Sequence, residues 1–440
     1  MTSTALYWFR SDLRLDDNPN LLAACDAATT LLPVYVRVPQ EQVIWGFNRF
    51  GEHRQQFLRD TLADLKQKLT LLGSDLVELQ SPQDGSASRV ERLVELAQHH
   101  EINTIYCEVI QAPEEMQEIA FLRAAGLTVH AQLESNMIAI PDLPFTPNAM
   151  PDKFTQFRVK IEKAKQLFTG PVFAPTSMPP LPLNFDRPAW VNQKPAALAT
   201  EHVVNQSHPH SSFPHLSSGF SGGETAALAH LQQYLERALP HSYKATRNQL
   251  HGLDYSSKLS PWLALGSISA RRVMQQLKQF EADRGANEGS YWLWFELLWR
   301  DYFRVLHLKW GQQLYCASGL NQAERPVHNP RGFARWCSGT TGEAIVDAGM
   351  QELKGSGYLS NRLRQVVASY LIYDLHSDWR AGAAWFESQL LDYDVYSNQG
   401  NWLYIAGKGT DPRGGRRFNP QKQAQDHDPN GSYRALWLSD

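Results

Sequence analysis

Residues 5–18 read ALYWFRSDLRLDDN, and this stretch decides the fold of the first third of the chain. Five apolar or aromatic residues lead directly into a polar turn, which is the pattern of a buried strand that enters a helix. Similar short apolar runs follow at 31–38, 75–79, 102–107 and 127–131. Helical patterns separate the runs, the clearest over 53–72. Repeated β-α-β units predict a parallel, Rossmann-like five-stranded sheet covered by helices on both faces.

The turn after the first strand, residues 9–18, contains no glycine. In GxGxxG proteins the glycines let a pyrophosphate approach the backbone, so this turn argues against a nicotinamide dinucleotide. The carboxyl edge of the sheet is otherwise the usual place for a small ligand in such a fold.

The rest of the chain divides at a proline-rich stretch. Nine of the 25 prolines fall within residues 171–214, and periodicity is lost from about 170 to 221. We interpret this stretch as a strap that lies on the surface and joins two domains. The predicted domains are an α/β domain over 1–135, a connector over 136–220 and an all-α domain over 221–440.

The last part of the chain is helical and aromatic. Helices are predicted over 223–239, 260–280, 290–309, 341–353, 360–376 and 383–391. Ten of the 13 tryptophans lie there, and the run at 291–299 is more aromatic than one buried stripe requires. A large helical core accounts for any single tryptophan. As a set, they suggest stacking surfaces for a planar cofactor or for bases, or a path for electrons.

Composition limits the class of protein. The 440 residues are 42% apolar and 20% charged, so we exclude wholesale disorder, collagen and coiled coil. Residues 1–220 hold 18 basic and 24 acidic side chains and residues 221–440 hold 24 and 21, which favours the second half for an anion. The four cysteines are scattered, so we expect no metal site, no disulfide and a reducing, cytoplasmic location. No apolar run approaches about 18 residues, so no membrane span is expected.

A first polar cluster precedes the helix that begins near residue 260. Ser256, Ser257 and Ser260 come before Pro261, so hydroxyl groups and free backbone N–H groups meet at one point, as in an anion site. Lys258 between them strengthens the phosphate interpretation. The alternative is that Ser260 serves only as the N-cap of the helix.

Two further clusters place acids among apolar residues. Glu296 lies within the aromatic run, where a carboxylate must face a cavity or be paired, for example with Arg300 four residues on. Asp392, Asp394 and Asn398 come close together near the end of the chain. Their acceptors suit a ribityl chain and an amide-rich ring, whereas a metal at the two aspartates would lack a third hard ligand.

These motifs resemble the photolyase/cryptochrome family, and within it the DASH cryptochromes. The resemblance runs over the whole chain and rests on residues 8–18, 255–266, 295–301, 360–365 and 392–398. It implies an α/β domain followed by a helical domain that holds FAD, with 5,10-methenyltetrahydrofolate as an antenna between them. It also implies blue-light-driven repair of cyclobutane pyrimidine dimers, preferentially in single-stranded DNA, by electron transfer from excited FADH⁻.

The resemblance assigns cofactor roles to individual residues. The FAD phosphates would be held by Tyr243, Ser256, Ser257, Leu259 and Ser260. Arg364 and Asp392 would form a salt bridge beside the isoalloxazine. Asp394 would contact the flavin or its adenosine, and Asn398 would face N5. A neutral amide at N5 accepts a hydrogen bond without placing a negative charge beside an anionic ring. The folate would contact Glu108, Glu114 and Glu115.

The resemblance also assigns the dimer cleft and an electron relay. The flipped dimer would contact Glu296, Trp299, Asn361, Gln365 and Tyr404. Double-strand-active photolyases commonly carry tryptophan at the position of Tyr404. Stacking on an aromatic ring returns roughly 1–3 kcal/mol per base. Tyrosine is a smaller stacking surface than tryptophan, and it suits single strands because flipping a base out of a single strand costs little free energy. Trp402 and Trp379 match two relay members, but the outer position is Pro326, and Trp336 and Tyr373 are the candidates to replace it.

The sequence leaves more than one class of function open. The alternative to a photolyase is a blue-light photoreceptor that binds DNA, signals through a partner and repairs little, and a third hypothesis is a light-independent single-strand binder that regulates transcription. Signalling cryptochromes usually carry a long tail, and this chain stops three residues after Trp437, which favours repair. We expect a monomer whose partner is single-stranded DNA with pyrimidine dimers.

Overall fold

A computed structural model describes residues 3–38, 41–80, 88–183, 185, 206–217, 219–321, 324–411 and 413–438. Five strands form one parallel sheet in the order β3-β2-β1-β4-β5. They are β1 (Thr4–Phe9), β2 (Thr30–Val36), β3 (Val77–Leu79), β4 (Thr104–Glu108) and β5 (Thr128–Gln132). The predicted fold class, a parallel five-stranded sheet followed by an all-α part, is confirmed.

Four helices accompany the sheet: α1 (Pro19–Ala27), α2 (Glu52–Leu71), α3 (Arg89–His99) and α4 (Pro113–Ala124). The first begins at a clear start signal, because Asn18 accepts a hydrogen bond from the Leu21 N–H and Pro19 occupies the first turn. The apolar residues of β1 and β2 are buried on both faces, as expected for a parallel sheet between helices.

The remaining α-helices within the described ranges are α5 (Phe154–Ala164), α6 (Glu224–Glu236), α7 (Tyr243–Thr246), α8 (Ser260–Leu265), α9 (Ala270–Arg284), α10 (Glu288–Trp310), α11 (Pro330–Ser338), α12 (Ala344–Ser356), α13 (Asn361–Tyr373), α14 (Trp379–Gln389), α15 (Val395–Ala406), α16 (Pro420–His427) and α17 (Ser432–Leu438). Five of the six predicted helices in this half agree with these bounds to within four residues. The sequence patterns did not predict α5, α7, α11, α15, α16 and α17, which are short or follow polar segments.

One predicted helix, over 260–280, is wrong because the structure has two. The first ends at Gly266, whose φ of 70° is left-handed. A Cβ atom at Gly266 would lie 2.1 Å from the Ser11 carbonyl oxygen, so only glycine allows the helix to end against the N-terminal half. Ser269 then caps α9 by accepting from the Arg272 N–H.

The strap does not lie wholly on the surface, as the sequence had predicted. Phe213 is fully buried, and its ring packs edge-on against Phe57 and Trp262 at centroid distances of 5.8 and 5.2 Å. Apolar residues between 137 and 161 also belong to the core of the helical half. Residues 186–205 of the strap lie outside the described residues, and the domain bounds at 135 and 220 stay a prediction.

Charged pairs join the two halves at the carboxyl edge of the sheet. Asp17 is buried and pairs with Arg271 at 2.9 Å, and Asp16 pairs with Arg272 at 2.7 Å. Both arginines come from α9 and both acids from the turn after β1. Side chains of the helical half therefore cover the edge at which a ligand is usually expected.

Among the described residues, no helix is both long and apolar enough to span a bilayer. The same ranges contain no cluster of three or more His, Cys, Asp or Glu side chains placed to share a metal ion. Asp392 and Asp394, considered above for a metal, have arginine partners.

Candidate functional site

A cavity that opens to solvent lies between α13, α14 and α15. Helical spacing explains its walls, because side chains three or four residues apart share one face of a helix. From α13 these are Asn361, Arg364, Gln365 and Ala368, and from α15 and its cap they are Asp394, Ser397, Asn398, Asn401, Trp402 and Ile405. Phe386, Leu390, Asp392 and Tyr393 complete the lining. Seven predicted site residues therefore meet here: Asn361, Arg364, Gln365, Asp392, Asp394, Asn398 and Trp402.

The salt bridge expected from the sequence is present in the cavity wall. Arg364 Nη2 donates to Asp392 Oδ2 at 2.9 Å. Burial disfavours the charge on Arg364, but Asp392 outweighs burial and raises the pKa of the guanidinium. Asp392 Oδ1 is buried and finds no partner among the described residues. Since an unpaired buried oxygen is costly, this atom marks a point where a bound ligand can donate a hydrogen bond.

Asp394 differs from Asp392 because its acceptors are already occupied. Arg304 donates to both of its oxygens, at 3.1 and 3.2 Å, and Ser397 donates to Oδ2 from its N–H and its hydroxyl. Burial would raise the pKa of Asp394, but Arg304 and Arg300 outweigh it and the pKa is lowered. Asp394 therefore caps α15 and anchors Arg304, and little acceptor capacity is left for a cofactor.

Asn398 lines the cavity with an amide that forms one hydrogen bond to the helix before it. Its Nδ2 donates to the Ala383 carbonyl oxygen at 3.0 Å, which fixes the orientation of the amide. Oδ1 accepts no hydrogen bond from any residue that the structure describes. The side chain is therefore an oriented, neutral acceptor in the wall that faces the ligand space.

Glu296 is paired, but its partner is not the predicted one. Its carboxylate forms an ion pair with Arg247, whose guanidinium lies 4.6 Å from the centroid of the Trp292 ring. Arg300 instead donates to the carbonyl oxygens of Ser135 and Leu263. Burial raises the pKa of Glu296, and Arg247 opposes the rise. Glu296 does not line the cavity described above.

An aromatic group lies beside this pair. Trp299 stacks on Phe154 with centroids 3.6 Å apart, and it meets Tyr404 edge-on at 6.2 Å. Arg416 lies over the other side of the cluster, 4.7 Å from the Tyr404 ring. Trp299 and Tyr404 are therefore close together, as the sequence resemblance implied, next to a basic side chain.

The serine-rich segment, residues 256–260, is not part of the cavity lining. Tyr243 and Leu259 are buried, Ser256 and Ser257 are partly buried, and Ser260 is exposed. The N-cap of α8 is Leu259, and no side chain caps that helix, so the N-cap interpretation of Ser260 is wrong.

The expectation that Lys258 supports a phosphate is also wrong. Its backbone is left-handed, with φ of 57°, and its side chain turns inward. The ammonium is buried 3.4 Å from the centroid of the Tyr255 ring and has no hydrogen-bond partner among the described residues. Burial lowers the pKa of Lys258 well below its usual value, and Glu352 opposes that effect.

The three acids assigned to an antenna differ in their exposure to solvent. Glu108 ends β4 and is buried, with Oε2 unpartnered among the described residues. Burial and Asp12 raise its pKa. Glu114 is exposed and pairs with Arg49 at 2.6 Å, whereas burial raises the pKa of Glu115.

The two relay tryptophans occupy different surroundings. Trp402 lines the cavity and fits there because Gly382 has no Cβ, which would lie 2.2 Å from the indole. Trp379 is buried, and its Nε1 donates to the Ala317 carbonyl oxygen at 3.2 Å.

Sequence reasoning missed several residues of the site. Ser397 and Asn401 could have been found, because they follow Asp394 at helical spacing. Arg247, Arg304 and Arg416 gave no signal, because only the tertiary fold brings them to Glu296, Asp394 and Tyr404.

Two family models match the chain: DNA photolyase over residues 5–180 and the FAD binding domain of DNA photolyase over residues 292–440. Among curated proteins, the chain is 40% identical to Cryptochrome DASH of Gloeobacter violaceus over 99% of this chain and 86% of that protein. It is 39% identical to Cryptochrome DASH of Xenopus laevis, over 98% and 81%.

Solved structures agree with this similarity. The Synechocystis cryptochrome superposes with a TM-score of 0.87 at 38% identity, covering 100% of this chain and 89% of that one. A class III photolyase of Agrobacterium tumefaciens gives a TM-score of 0.77 at 28% identity, over 99% and 86%. An archaeal photolyase of Sulfolobus tokodaii, described with two FAD molecules, gives 0.73 at 25% identity, over 99% and 90%.

Proposed function

The chain belongs to the DASH cryptochromes of the photolyase/cryptochrome family, and on that basis we propose that it repairs cyclobutane pyrimidine dimers in single-stranded DNA under blue light. One observation carries the proposal. The lining of the cavity between α13 and α15 combines two acceptor oxygens that have no partner among the described residues, on Asp392 and Asn398, with the amides of Asn361 and Gln365 on α13. Such a space suits a flavin on one side and a pyrimidine pair on the other.

The residues around the cavity fit FAD, which the family binds in its helical domain. When bound, reduced FAD supplies the electron that opens the dimer after light absorption. Asp392 Oδ1 would accept from a donor on the cofactor, and Arg364 holds the carboxylate in place. Asn398 Oδ1 would accept a hydrogen bond from the N5–H group, because the Ala383 carbonyl oxygen fixes the orientation of the amide.

The FAD phosphates would be bound at the serine-rich segment. The residues assigned there are Tyr243, Ser256, Ser257, Leu259 and Ser260. The exposed hydroxyl of Ser260 at the start of α8 supports this role, whereas the inward Lys258 leaves neutral donors to do the binding.

The damaged bases would be held by polar side chains without a nucleophile or a general base. Asn361 and Gln365 would hydrogen-bond the pyrimidine edges from α13, and Glu296 would do so from α10. Arg247 keeps the Glu296 carboxyl in place and adds positive charge where a radical anion develops.

Preference for single strands is proposed from the stacking surface. Trp299 and Tyr404 offer two rings, and Tyr404 is smaller than the tryptophan common in double-strand-active relatives. Unpairing a duplex costs a few kcal/mol that a single strand does not require. The basic Arg416 beside Tyr404 suits the backbone of either substrate.

We also propose a folate antenna, 5,10-methenyltetrahydrofolate, near Glu108, with Glu114 and Glu115 at its edge. The unpartnered Glu108 Oε2 supports this, because the amino-pyrimidine part of a pterin offers N–H donors. Folate fluorescence released on denaturation, with FAD equimolar to the chain, is the expected result. Excess FAD without folate would point to a flavin antenna instead.

Two further proposals concern the state of the protein. We propose that it acts as a monomer and in the cytoplasm, where its free cysteines stay reduced. Light scattering of the purified chain measures the first, and fractionation of the source cells the second.

The test of repair uses dimer-containing single-stranded DNA and the purified protein with reduced FAD. Loss of dimers in blue light, but not in darkness, is the expected result. Unchanged dimers in the light would contradict the proposal and favour the photoreceptor alternative. Duplex DNA with the same lesion is the control for strand preference.

A further inference from the structure

A series of aromatic ring contacts begins at Trp402 in the cavity wall and does not include Trp379, its predicted relay partner. The Trp402 ring lies 5.2 Å from Phe386 and 6.4 Å from Trp336, measured between centroids. Phe386 and Trp336 stack with an interplanar angle of 21°. Trp336 is fully buried, so the space between the two indoles contains side chains only.

Beyond Trp336 the contacts lead to the N-terminal half. Phe333 stacks on Trp336 at 6.1 Å. From Phe333, one route runs over His328 to Trp45 through centroid distances of 5.4 and 4.7 Å, and another runs over Phe47 to Trp385 through 6.2 and 5.0 Å. Trp45 and Trp385 are both partly exposed. The rings thus connect the cavity with solvent.

The predicted partner Trp379 lacks such a continuation. No aromatic ring in the described ranges stacks on it, and the outer position of the expected relay is Pro326, which cannot be oxidised. Tyr373, the other candidate from the sequence, donates its hydroxyl to the Ile405 carbonyl oxygen and likewise meets no ring in the described part of the chain.

We propose that Trp336 is the second electron carrier after Trp402 and that Trp45 and Trp385 form the surface end of the relay. The inference rests on the proposed FAD site, since light first moves one electron from Trp402 to oxidised flavin. Trp336 then gives one electron to Trp402, and Trp45 or Trp385 gives one to Trp336. The exposed indole radical cation loses its N–H proton to water, and a thiol in solution restores the indole by supplying one electron and one proton.

The hydrogen bonds of the carriers agree with this order. Trp336 Nε1 donates to the Val367 carbonyl oxygen at 2.9 Å, and a carbonyl oxygen does not take up the proton. The positive charge on Trp336 therefore remains free to move outward. At a partly exposed indole, water accepts the proton and the electron hole is trapped.

Transient absorption and electron paramagnetic resonance of the FAD-loaded protein test the second carrier. Trp336→Phe should abolish the long-lived indole radical, and Trp336→Tyr, which keeps an oxidisable ring, should restore part of it. Trp379→Phe should cause the smaller loss. A parent-like radical in Trp336→Phe, or a larger loss in Trp379→Phe, would overturn the proposal. FAD content and melting temperature identify any variant that has simply lost its fold.

The surface end is tested with the double variant Trp45→Phe/Trp385→Phe. Its radical should form but recombine faster than in the parent, whereas Trp437→Phe, whose ring contacts are His208 and His210, should behave as the parent. A parent-like radical lifetime in the double variant would overturn this end of the path. Dimer repair by chemically reduced parent protein needs no relay, so it separates failure of this inference from failure of the proposed function.

Discussion

Buried charges serve different purposes at the edge of the sheet and in the helical cavity. At the edge, Arg271 donates to both oxygens of Asp17, and this pair ties the two halves together. In the cavity, Arg364 holds Asp392 by one oxygen and leaves the other without a partner among the described residues. Both sites contain a buried Arg–Asp pair, but the Asp17 carboxylate has partners for both oxygens, whereas the Asp392 carboxylate in the cavity lining has a partner for one. An unpartnered carboxylate oxygen among residues that line a cavity therefore indicates the ligand site more specifically than fold class does.

We expect the largest change in stability at the buried pair on the edge of the sheet. Asp17→Asn removes the negative partner of a buried arginine and keeps a residue that tolerates the φ of 51°. We expect a loss of about 3–5 kcal/mol in the free energy of unfolding, measured in urea. Asp16→Asn is the matched control, because its side chain is 22% exposed, and it should lose less than about 1 kcal/mol. Equal losses would show that burial does not separate the two pairs.

The next effect concerns the substrate side of the cavity. Glu296→Ala should lower the yield of dimer repair roughly tenfold to 100-fold, because a hydrogen bond to a charged group contributes about 1.5–3 kcal/mol. FAD content should not change. Glu288→Ala, on the same helix but exposed and paired with Lys244, is the control and should repair as the parent. A colourless Glu296→Ala protein would instead give Glu296 a structural role.

A smaller effect is expected at the flavin side. Asn398→Asp replaces a neutral acceptor by one that can carry negative charge beside the reduced ring. The two-electron midpoint potential should fall by roughly 30–60 mV, which corresponds to about 1.5–3 kcal/mol. Spectroelectrochemistry measures it. An unchanged potential would remove Asn398 from the vicinity of N5.

The smallest effect is a difference in pH response between the two regions. The raised pKa of Glu108 means that the folded state holds the proton more tightly, so its contribution to stability falls as the pH rises above 4.5. The lowered pKa of Asp394 acts in the opposite sense, since its contribution is present above 3.8 and is lost only in stronger acid. Burial raises the pKa of Glu108 to about 7, so Glu108→Gln should reduce the loss of stability between about pH 4.5 and 7 by about 1 kcal/mol. Melting curves with the parent's pH slope would contradict this.

Local patterns were sufficient to predict much of the fold and part of the site. Alternating apolar runs predict the sheet, because each strand and helix carries its own periodicity. The spacing of Asp394, Asn398 and Trp402 places them on one helix face once that helix exists. These features depend on residues that are close in sequence.

The errors arose where the outcome depends on distant residues. Lys258 lies between two serines, but its left-handed backbone directs the ammonium toward Tyr255 and away from solvent. Glu296 pairs with Arg247, 49 residues away, in preference to its neighbour on the helix. No local periodicity encodes such a choice, because it is made when the helices pack.

The proposed FAD site is tested most directly by the visible absorption spectrum of the purified chain after incubation with FAD, compared between the parent and Ala368→Trp. Ala368 is 4% exposed and lines the cavity, so an indole at this position fills the ligand space at a cost of about 1–3 kcal/mol in stability. We expect equimolar bound FAD in the parent and none in the variant, with both proteins folded by circular dichroism. Equal FAD in the two proteins would contradict the proposed site.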